Sequence, residues 1–457
     1  MKIQKTKTTF FLALYVLSLH SCNNNRKSVE NKTQENTFSV FEEKVKNWQE
    51  ELNIPNVGIG IIDNGEITYA KVLDVKDTAI IQDMQFNIAS ITKVLFGTTV
   101  MKLVNNGEWD LDNPLYPYHI DEDVINDPRH KKITARDVLT QRSGFVNWRW
   151  NHPTGKLTFD FDPGTTFNYS GEGMEYLRQA IEKKYSTTID HIADSVLFRP
   201  ALMKNTSHSW DGTTKWDKFS RFYDAEGKEH VLEDYSFSGQ AADDIMTTVK
   251  DLTLFGQYVL DGAGLKPDIF KQMVTAQTKI NDNQDQALAW RLKRDLPNNE
   301  YAIHHGGNDI GVATLLVLLP QSKRGIVVMT NSDSGLVLCN NVVREVWEEG
   351  AEIIHRAYRS GSVDDIPEAI AVSQDILKSY EGVYEQPSGR KATIKSTATT
   401  LIMQMPGVPN LQLFPKSETN FFLKDFDPII AFEKDDKDQL SLKIIEGENT
   451  IICKRLE

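Results

Sequence analysis

At 457 residues the chain is long enough for two or three domains of ordinary size. Its 40% hydrophobic and 25% charged residues exclude a disordered or fibrous protein. Only 51 Lys and Arg stand against 64 Asp and Glu, with no long basic block, which excludes a nucleic-acid binder, since that affinity comes from neutralising phosphates. At the N-terminus, Lys2, Lys5 and Lys7 precede an apolar run from Phe10 to Leu19. A membrane-spanning helix needs about 20 apolar residues, so this shorter run reads as the hydrophobic region of a secretory signal.

The run closes on Leu19-His20-Ser21-Cys22 followed by three asparagines, which resembles the lipobox of bacterial lipoproteins. The resemblance implies cleavage of residues 1–21, lipid attachment at Cys22, and an exported protein anchored to a bacterial membrane, in the periplasm or at the cell surface. Residues 22–37 are polar without apolar periodicity and read as a flexible tether.

The spacing predicts an amphipathic helix from Phe38 to Leu52. Val57–Ile62 and Ile67–Ala70, joined through Asp63-Asn64-Gly65, predict a hairpin, since Asn-Gly supplies the positive φ angles of a tight primed turn. Helix patterns follow at Thr92–Asn105, Ala135–Thr140, Gly173–Lys184 and Thr248–Leu260. Strands Ala313–Leu319 and Gly325–Thr330 precede a long helical stretch from about Val342 to Tyr358. Strands at both ends with helices between predict one sheet domain, residues 38–358, carrying a helical insertion. After a linker at 359–378, residues 379–457 show short alternating runs: Lys391–Lys395, Thr399–Met405, Asn410–Phe414, Asn420–Lys424, Ile429–Glu433, Leu440–Ile445 and Ile451–Arg455. These predict a small antiparallel barrel or sandwich.

The strongest chemical signal is Ser90-Ile91-Thr92-Lys93, where strand-like Phe86–Ala89 enters a helix. Residues three apart on a helix are neighbours, so the Lys93 amine can reach the Ser90 hydroxyl. Serine needs an adjacent base, and a lysine serves only if its surroundings bring its pKa from about 10.4 towards neutrality. A second Ser-x-x-Lys, Ser388–Lys391, follows Pro387 in the all-β region and reads as a turn. Further along, Tyr169 sits in the loop Pro163–Gly171, and His304-His305-Gly306-Gly307-Asn308-Asp309-Ile310-Gly311 leads into the strand at Ala313.

In this order the three segments resemble the serine hydrolase superfamily of class C β-lactamases, D-Ala-D-Ala carboxypeptidases, D-aminopeptidases and related esterases, which carries Ser-x-x-Lys, Tyr-x-Asn and Lys/His-x-Gly. Asn64–Ile67, Val104–Leu115, Ile133–Gly144 and Val327–Asn331 are also similar, so the resemblance runs from about residue 40 to 357. It implies an α/β (α+β) penicillin-recognising fold: an antiparallel sheet flanked by helices, a helical subdomain, and the small barrel that many such hydrolases append. It also implies catalytic roles. Ser90 becomes acylated, Lys93 and Tyr169 move its proton with the choice of base open, and His305, rather than His304, takes the third-motif position. The backbone N–H groups of Ser90 and Asn308 form the oxyanion hole, and Gly306 and Gly307 line the substrate.

Two departures bear on substrate. Gly171 stands where lactamases and many peptidases have an amide-binding Asn, and histidine replaces the lysine of efficient β-lactamases. Both favour an ester, amide or D-amino-acid peptide over a β-lactam, with a weak class C-like β-lactamase kept as an alternative. Trp148 and Trp150, with His152, Phe159 and Phe161, either line the site mouth or form a packed surface loop. Ser170 lacks the glycine of a nucleophile elbow. Three cysteines and the absence of paired-histidine spacings give no expectation of a metal or organic cofactor. The expected partners are an acyl substrate and, through the lipid, a membrane. The rival from another class is a surface binding or scaffolding lipoprotein on the same fold with negligible turnover.

Overall fold

The computed structural model describes residues 38–75, 82–209, 218–231, 239–358, 365–387, 389–405, 408–424, 426–434, 439–446 and 449–456. The signal segment, Cys22, the tether and Ser388 lie outside these.

Helix α1 (38–52) leads into β1 (Asn56–Asp63) and β2 (Glu66–Asp74), with Asn64 at φ 50° and Gly65 at φ 81° making the expected turn. After β3 (Gln85–Asn87) come α2 (Thr92–Asn105), α3 (Ala135–Leu139), α4 (Gly171–Tyr185) and α5 (Ile189–Ala193). The chain returns through β4 (Met246–Thr248), α6 (Val249–Leu260) and α7 (Pro267–Val274). It then lays down β5 (Thr278–Lys279), β6 (Asp285–Gln286), β7 (Arg291–Leu296), β8 (Glu300–Asp309), β9 (Val312–Leu319) and β10 (Arg324–Thr330). One antiparallel sheet of order β2-β1-β10-β9-β8-β7-β6-β5 results, so strands from both ends of this region meet where Ile59 pairs with Val328.

Two-sided burial explains the apolar run of β9, interrupted only by Thr314, in which every residue is buried. Leu315, Val317 and Leu319 pack with α1 and α8 (Gly335–Val346), while Leu316 and Leu318 face the opposite core shared with α2, α6 and the helical insertion. Fully burying one such aliphatic side chain contributes about 1.5–3 kcal/mol. The single helix expected to Tyr358 is two. Trp347 turns extended after α8, and Gly350, whose missing side chain lets it lie against the Val343 carbonyl, opens α9 (Gly350–Tyr358).

The C-terminal part is a closed barrel of β11 (Gly382–Glu385), β12 (Lys391–Ser396), β13 (Leu401–Met405), β14 (Val408–Pro415), β15 (Asn420–Phe422), β16 (Ile429–Lys434), β17 (Leu440–Glu446) and β18 (Asn449–Arg455). Seven of these strands overlap the alternating runs of the sequence. β11 does not, yet it closes the ring by pairing with β12 and, at Tyr384–Arg455, with β18. Helix α10 (Gln374–Ser379) sends Leu377 into the barrel core. The barrel touches the sheet domain through Glu226, which accepts from Lys395 Nζ at 2.9 Å and Gln404 Nε2 at 2.8 Å. Glu226 lies just beyond Phe222 and Tyr223, which abut Gly311 in the β8–β9 turn.

Candidate active site

Strand β3 pairs with β4 and delivers the chain to Ser90 through a tight turn. Asn87 Oδ1 accepts from the Ala89 backbone N–H at 2.6 Å, and Ala89 is left-handed at φ 45°. A non-glycine residue there costs on the order of 1–3 kcal/mol, which the packing of buried Ala89 against Phe222 and Val312 helps to offset. Ser90 therefore sits in a single 3-10 turn, Ala89–Ile91, immediately before α2, and not within the first α-helical turn as its spacing suggested.

Lys93 is only 1% exposed, so its amine must find partners within the protein. Its Nζ lies 2.9 Å from Ser90 Oγ and donates to the Ala242 carbonyl at 2.6 Å. It also stands 4.8 Å from the centre of the Tyr169 ring. Tyr169 ends the loop before α4, and its ring centre lies 6.3 Å from that of His305 on β8. Lys93, Tyr169 and His305, from three distant segments, are thus brought together on the side of Lys93 that holds the Ser90 hydroxyl.

Alternation along β8 separates the two histidines. His305 and Gly307 face the Ser90 turn, and His304 points to the other side of the strand. Both rings are buried. Burial, with Arg291 and Lys93 nearby, pushes His305 down to about 3, so it is neutral at pH 7. Its Nδ1 lies 2.7 Å from the Gly306 carbonyl, an acceptor only, so Nδ1 carries the proton and Nε2 a lone pair. His304 is likewise held neutral by burial and Lys293, and its Nε2 has no hydrogen-bond partner. A side chain at Gly307 would come within 2.3 Å of the Ile88 carbonyl; glycine there lets β8 close on the Ser90 turn. Pairing with β7 ends at Arg291–His304, so residues 305–309, including Gly306 and Asn308, run past the end of that strand. Arg291 is the cation on this side, its guanidinium carbon 5.8 Å from the Tyr169 ring centre.

Trp148 and Trp150 stack at 4.6 Å with 12° between their planes, and Trp150 is 66% exposed. Between them Arg149 is gripped by Glu172 (2.9 Å), Asp121 (2.8 Å) and Asp123 (3.3 Å), an acidic set that holds its guanidinium firmly charged. The Trp148 indole lies over Gly171, where a side chain would meet Cζ2 at 2.4 Å. Ser170 is the N-cap of α4, accepting from Gly173 N at 2.9 Å, a role its elbow-like sequence does not reveal.

One neighbouring group escaped sequence reasoning. Asp243, Asp244 and Asp309 bring carboxylate oxygens within 4.8 Å of one another beside Lys93, close enough among the described residues to hold a cation. Burial pushes Asp243 up to about 8, against the opposing pull of Lys93, and Asp244 up to about 6. A proton on Asp243 therefore relieves part of the like-charge repulsion at neutral pH. Nothing in an Asp-Asp dipeptide 65 residues before a third aspartate signals this; the approach comes from packing β4's leading loop against the β8 terminus.

Chemically, a hydroxyl bonded to a buried amine, flanked by a phenol and a neutral imidazole and without a nearby fixed cation on β8, suits acyl transfer through a serine ester. The Beta-lactamase family model matches residues 41–340. An uncharacterized protein of Alkalihalophilus pseudofirmus is 26% identical over 289 residues, covering 60% of this chain and 81% of its own length. The octameric penicillin-binding protein homologue from Pyrococcus abyssi superposes with a TM-score of 0.60 at 18% identity, over 92% of this chain and 99% of that one. The D-alanine carboxypeptidase from Burkholderia cenocepacia does so with 0.56 at 17% identity, over 67% of this chain and 100% of its own. These two likenesses are likenesses of fold.

Proposed function

The chain belongs to the Beta-lactamase family, whose members are built as serine hydrolases, and from that premise we propose that it is an exported, lipid-anchored hydrolase working through an acyl-enzyme at Ser90. The observation that carries this reading is the 2.9 Å contact between Ser90 Oγ and the fully buried Lys93 amine. In its neutral form the amine gives one N–H to the Ala242 carbonyl and accepts the Ser90 proton as Oγ attacks the substrate carbonyl. In this reading Tyr169, whose ring centre stands 4.8 Å from the Lys93 amine, passes that proton to the leaving group. Oxyanion donors would be the N–H groups of Ser90 and Asn308. Water then cleaves the serine ester, regenerating Ser90 and releasing the acid.

The substrate class proposed is a carboxylic ester with an apolar acyl group, ahead of amides and D-amino-acid peptides. Trp148 supports it, since an indole occupies the place of an amide-binding side chain at position 171. Neutral His305 supports it too, because it offers no permanent charge to a substrate carboxylate. Export and anchoring through Cys22 rest on the N-terminal sequence, and metabolic labelling with a radioactive fatty acid, lost in Cys22→Ala, tests them.

The first test is the intact mass of residues 38–457 after exposure to a fluorophosphonate, with Ser90→Ala as control. A single adduct absent from the mutant supports an activated Ser90. Unlabelled but folded protein, together with no hydrolysis of an aryl ester series, would favour the binding lipoprotein instead.

A further inference from the structure

The Ala242 carbonyl that holds the Lys93 amine is itself held from behind. Glu175, in the second turn of α4, accepts with one oxygen from both the Ala241 N–H at 2.7 Å and the Ala242 N–H at 2.9 Å. Its other oxygen accepts from Arg178 Nε at 2.6 Å, and Arg178 is tied in turn to Glu182. On either side the same segment is fastened again. His208 Nδ1 lies 2.7 Å from the Gln240 carbonyl, and Ile245 N donates to Thr92 Oγ1 at 3.1 Å. The charged and titratable groups facing Glu175 are Arg178 on its own helix and His208 and Asp244 from the segments packed against it.

We propose that Glu175 is a positioning residue for acyl transfer: through the Ala241 and Ala242 amides it fixes the Ala242 carbonyl, and through that carbonyl the direction in which Lys93 presents its amine to Ser90. The inference rests on the hydrolase reading above. An amine has one lone pair, and pinning one of its N–H bonds to a fixed acceptor aims that lone pair. Two charge-assisted bonds to one oxygen of a carboxylate whose other oxygen is ion-paired make a stiffer anchor than neutral acceptors would. The side chain is 13% exposed, so the carboxylate is withdrawn from water to do this, while an exposed face of α4 would satisfy it at lower desolvation cost. Neither the Ser-x-x-Lys nor the tyrosine segment contains Glu175, so it stands outside the motif set.

The test is the rate constant of fluorophosphonate labelling per reactive Ser90, kept apart from the fraction of molecules that label at saturation. A Glu175→Ala variant is expected to label to full stoichiometry at a rate lower by about tenfold or more, since misplacing a catalytic group by about 1 Å costs up to about a hundredfold. With an aryl ester the loss should fall on kcat with KM little changed. Glu175→Gln keeps an acceptor for both amides and is expected to recover most of the rate. If Glu175→Ala does not fold, Glu175→Asp, which keeps the charge but withdraws the acceptor by one methylene, carries the same expectation. An unchanged rate per site, or a loss confined to the labelled fraction, overturns the inference while leaving the hydrolase reading intact. Wild-type protein that neither labels nor hydrolyses esters removes that reading, and this one with it.

Discussion

The indole of Trp148 fills the space that any side chain at Gly171 would need, with three ring atoms between 2.4 and 2.8 Å of the position a Cβ would take. Arg149 locks the relationship, because its three carboxylate partners fix the backbone between the two stacked tryptophans. Position 171 and position 148 are therefore one structural choice made jointly. Asparagine and tryptophan cannot both be accommodated there without movement.

A double-mutant cycle tests this coupling. Gly171→Asn alone should destabilise the protein by about 1–3 kcal/mol through overpacking. Adding Trp148→Ala should recover most of that loss, measured by urea unfolding. The double variant should also raise the ratio of anilide to ester hydrolysis relative to wild type. Strictly additive stabilities would show that the indole moves aside at little cost.

His305 is held neutral down to about pH 3, chiefly by burial, with the Arg291 guanidinium nearby. The pH profile of kcat/KM for an ester should therefore carry no step from this imidazole between about pH 5 and 8. His305→Gln is expected to lower the profile without changing its shape in that range. A wild-type inflection near the ordinary histidine value that vanishes in the glutamine variant would contradict the geometry.

Asp243 keeps its proton up to about pH 8, against 3.8 for an unburied carboxyl. Between those values the folded chain binds a proton that the unfolded chain has released, so stability falls as pH rises through the window. Replacing Asp243 by Asn removes the penalty. The Tm advantage of Asp243→Asn should thus be larger at about pH 9 than at about pH 5, as read by calorimetry. An advantage that is constant, or larger in acid, would place Asp243 in a different environment.

Gly307 lets β8 lie against the Ser90 turn, and the atom a methyl group would strike first is a backbone oxygen, that of Ile88. Gly307→Ala must displace either the strand or Ser90. A loss of about a hundredfold in the labelling rate of Ser90 is expected, in line with the cost of roughly 1 Å of misplacement. Normal labelling kinetics would mean that the turn has slack.

Much of the frame was legible because it is local. The apolar period that predicts a helix over Thr92–Asn105 meets α2 at both ends, and Asn64-Gly65 specifies its turn through φ angles that few other residues tolerate. Ser90 and Lys93 are three residues apart across the 3-10 turn and the helix that follows it, so their contact is local. The choice of His305 over His304 comes from the resemblance, in which a glycine stands two residues after the motif position, and alternation along β8 puts His305 and Gly307 on one face. Reading one helix across Trp347 failed for a converse reason. The apolar pattern continues through the break, and only the approach of Gly350 to the α8 carbonyls reveals it.

What the amino-acid sequence determined by itself was therefore the run of helices and strands, the order of the three motifs and the chemistry that their side chains can perform. Tertiary structure alone decided which distant residues share that chemistry: Trp148 over Gly171, Glu175 behind Ala242, Asp309 beside Asp243, and β11 against β18 to close the barrel. Periodicity records which face of an element turns inward. It carries no record of which other element meets that face, because this depends on how the layers stack and on the close approaches that small residues permit.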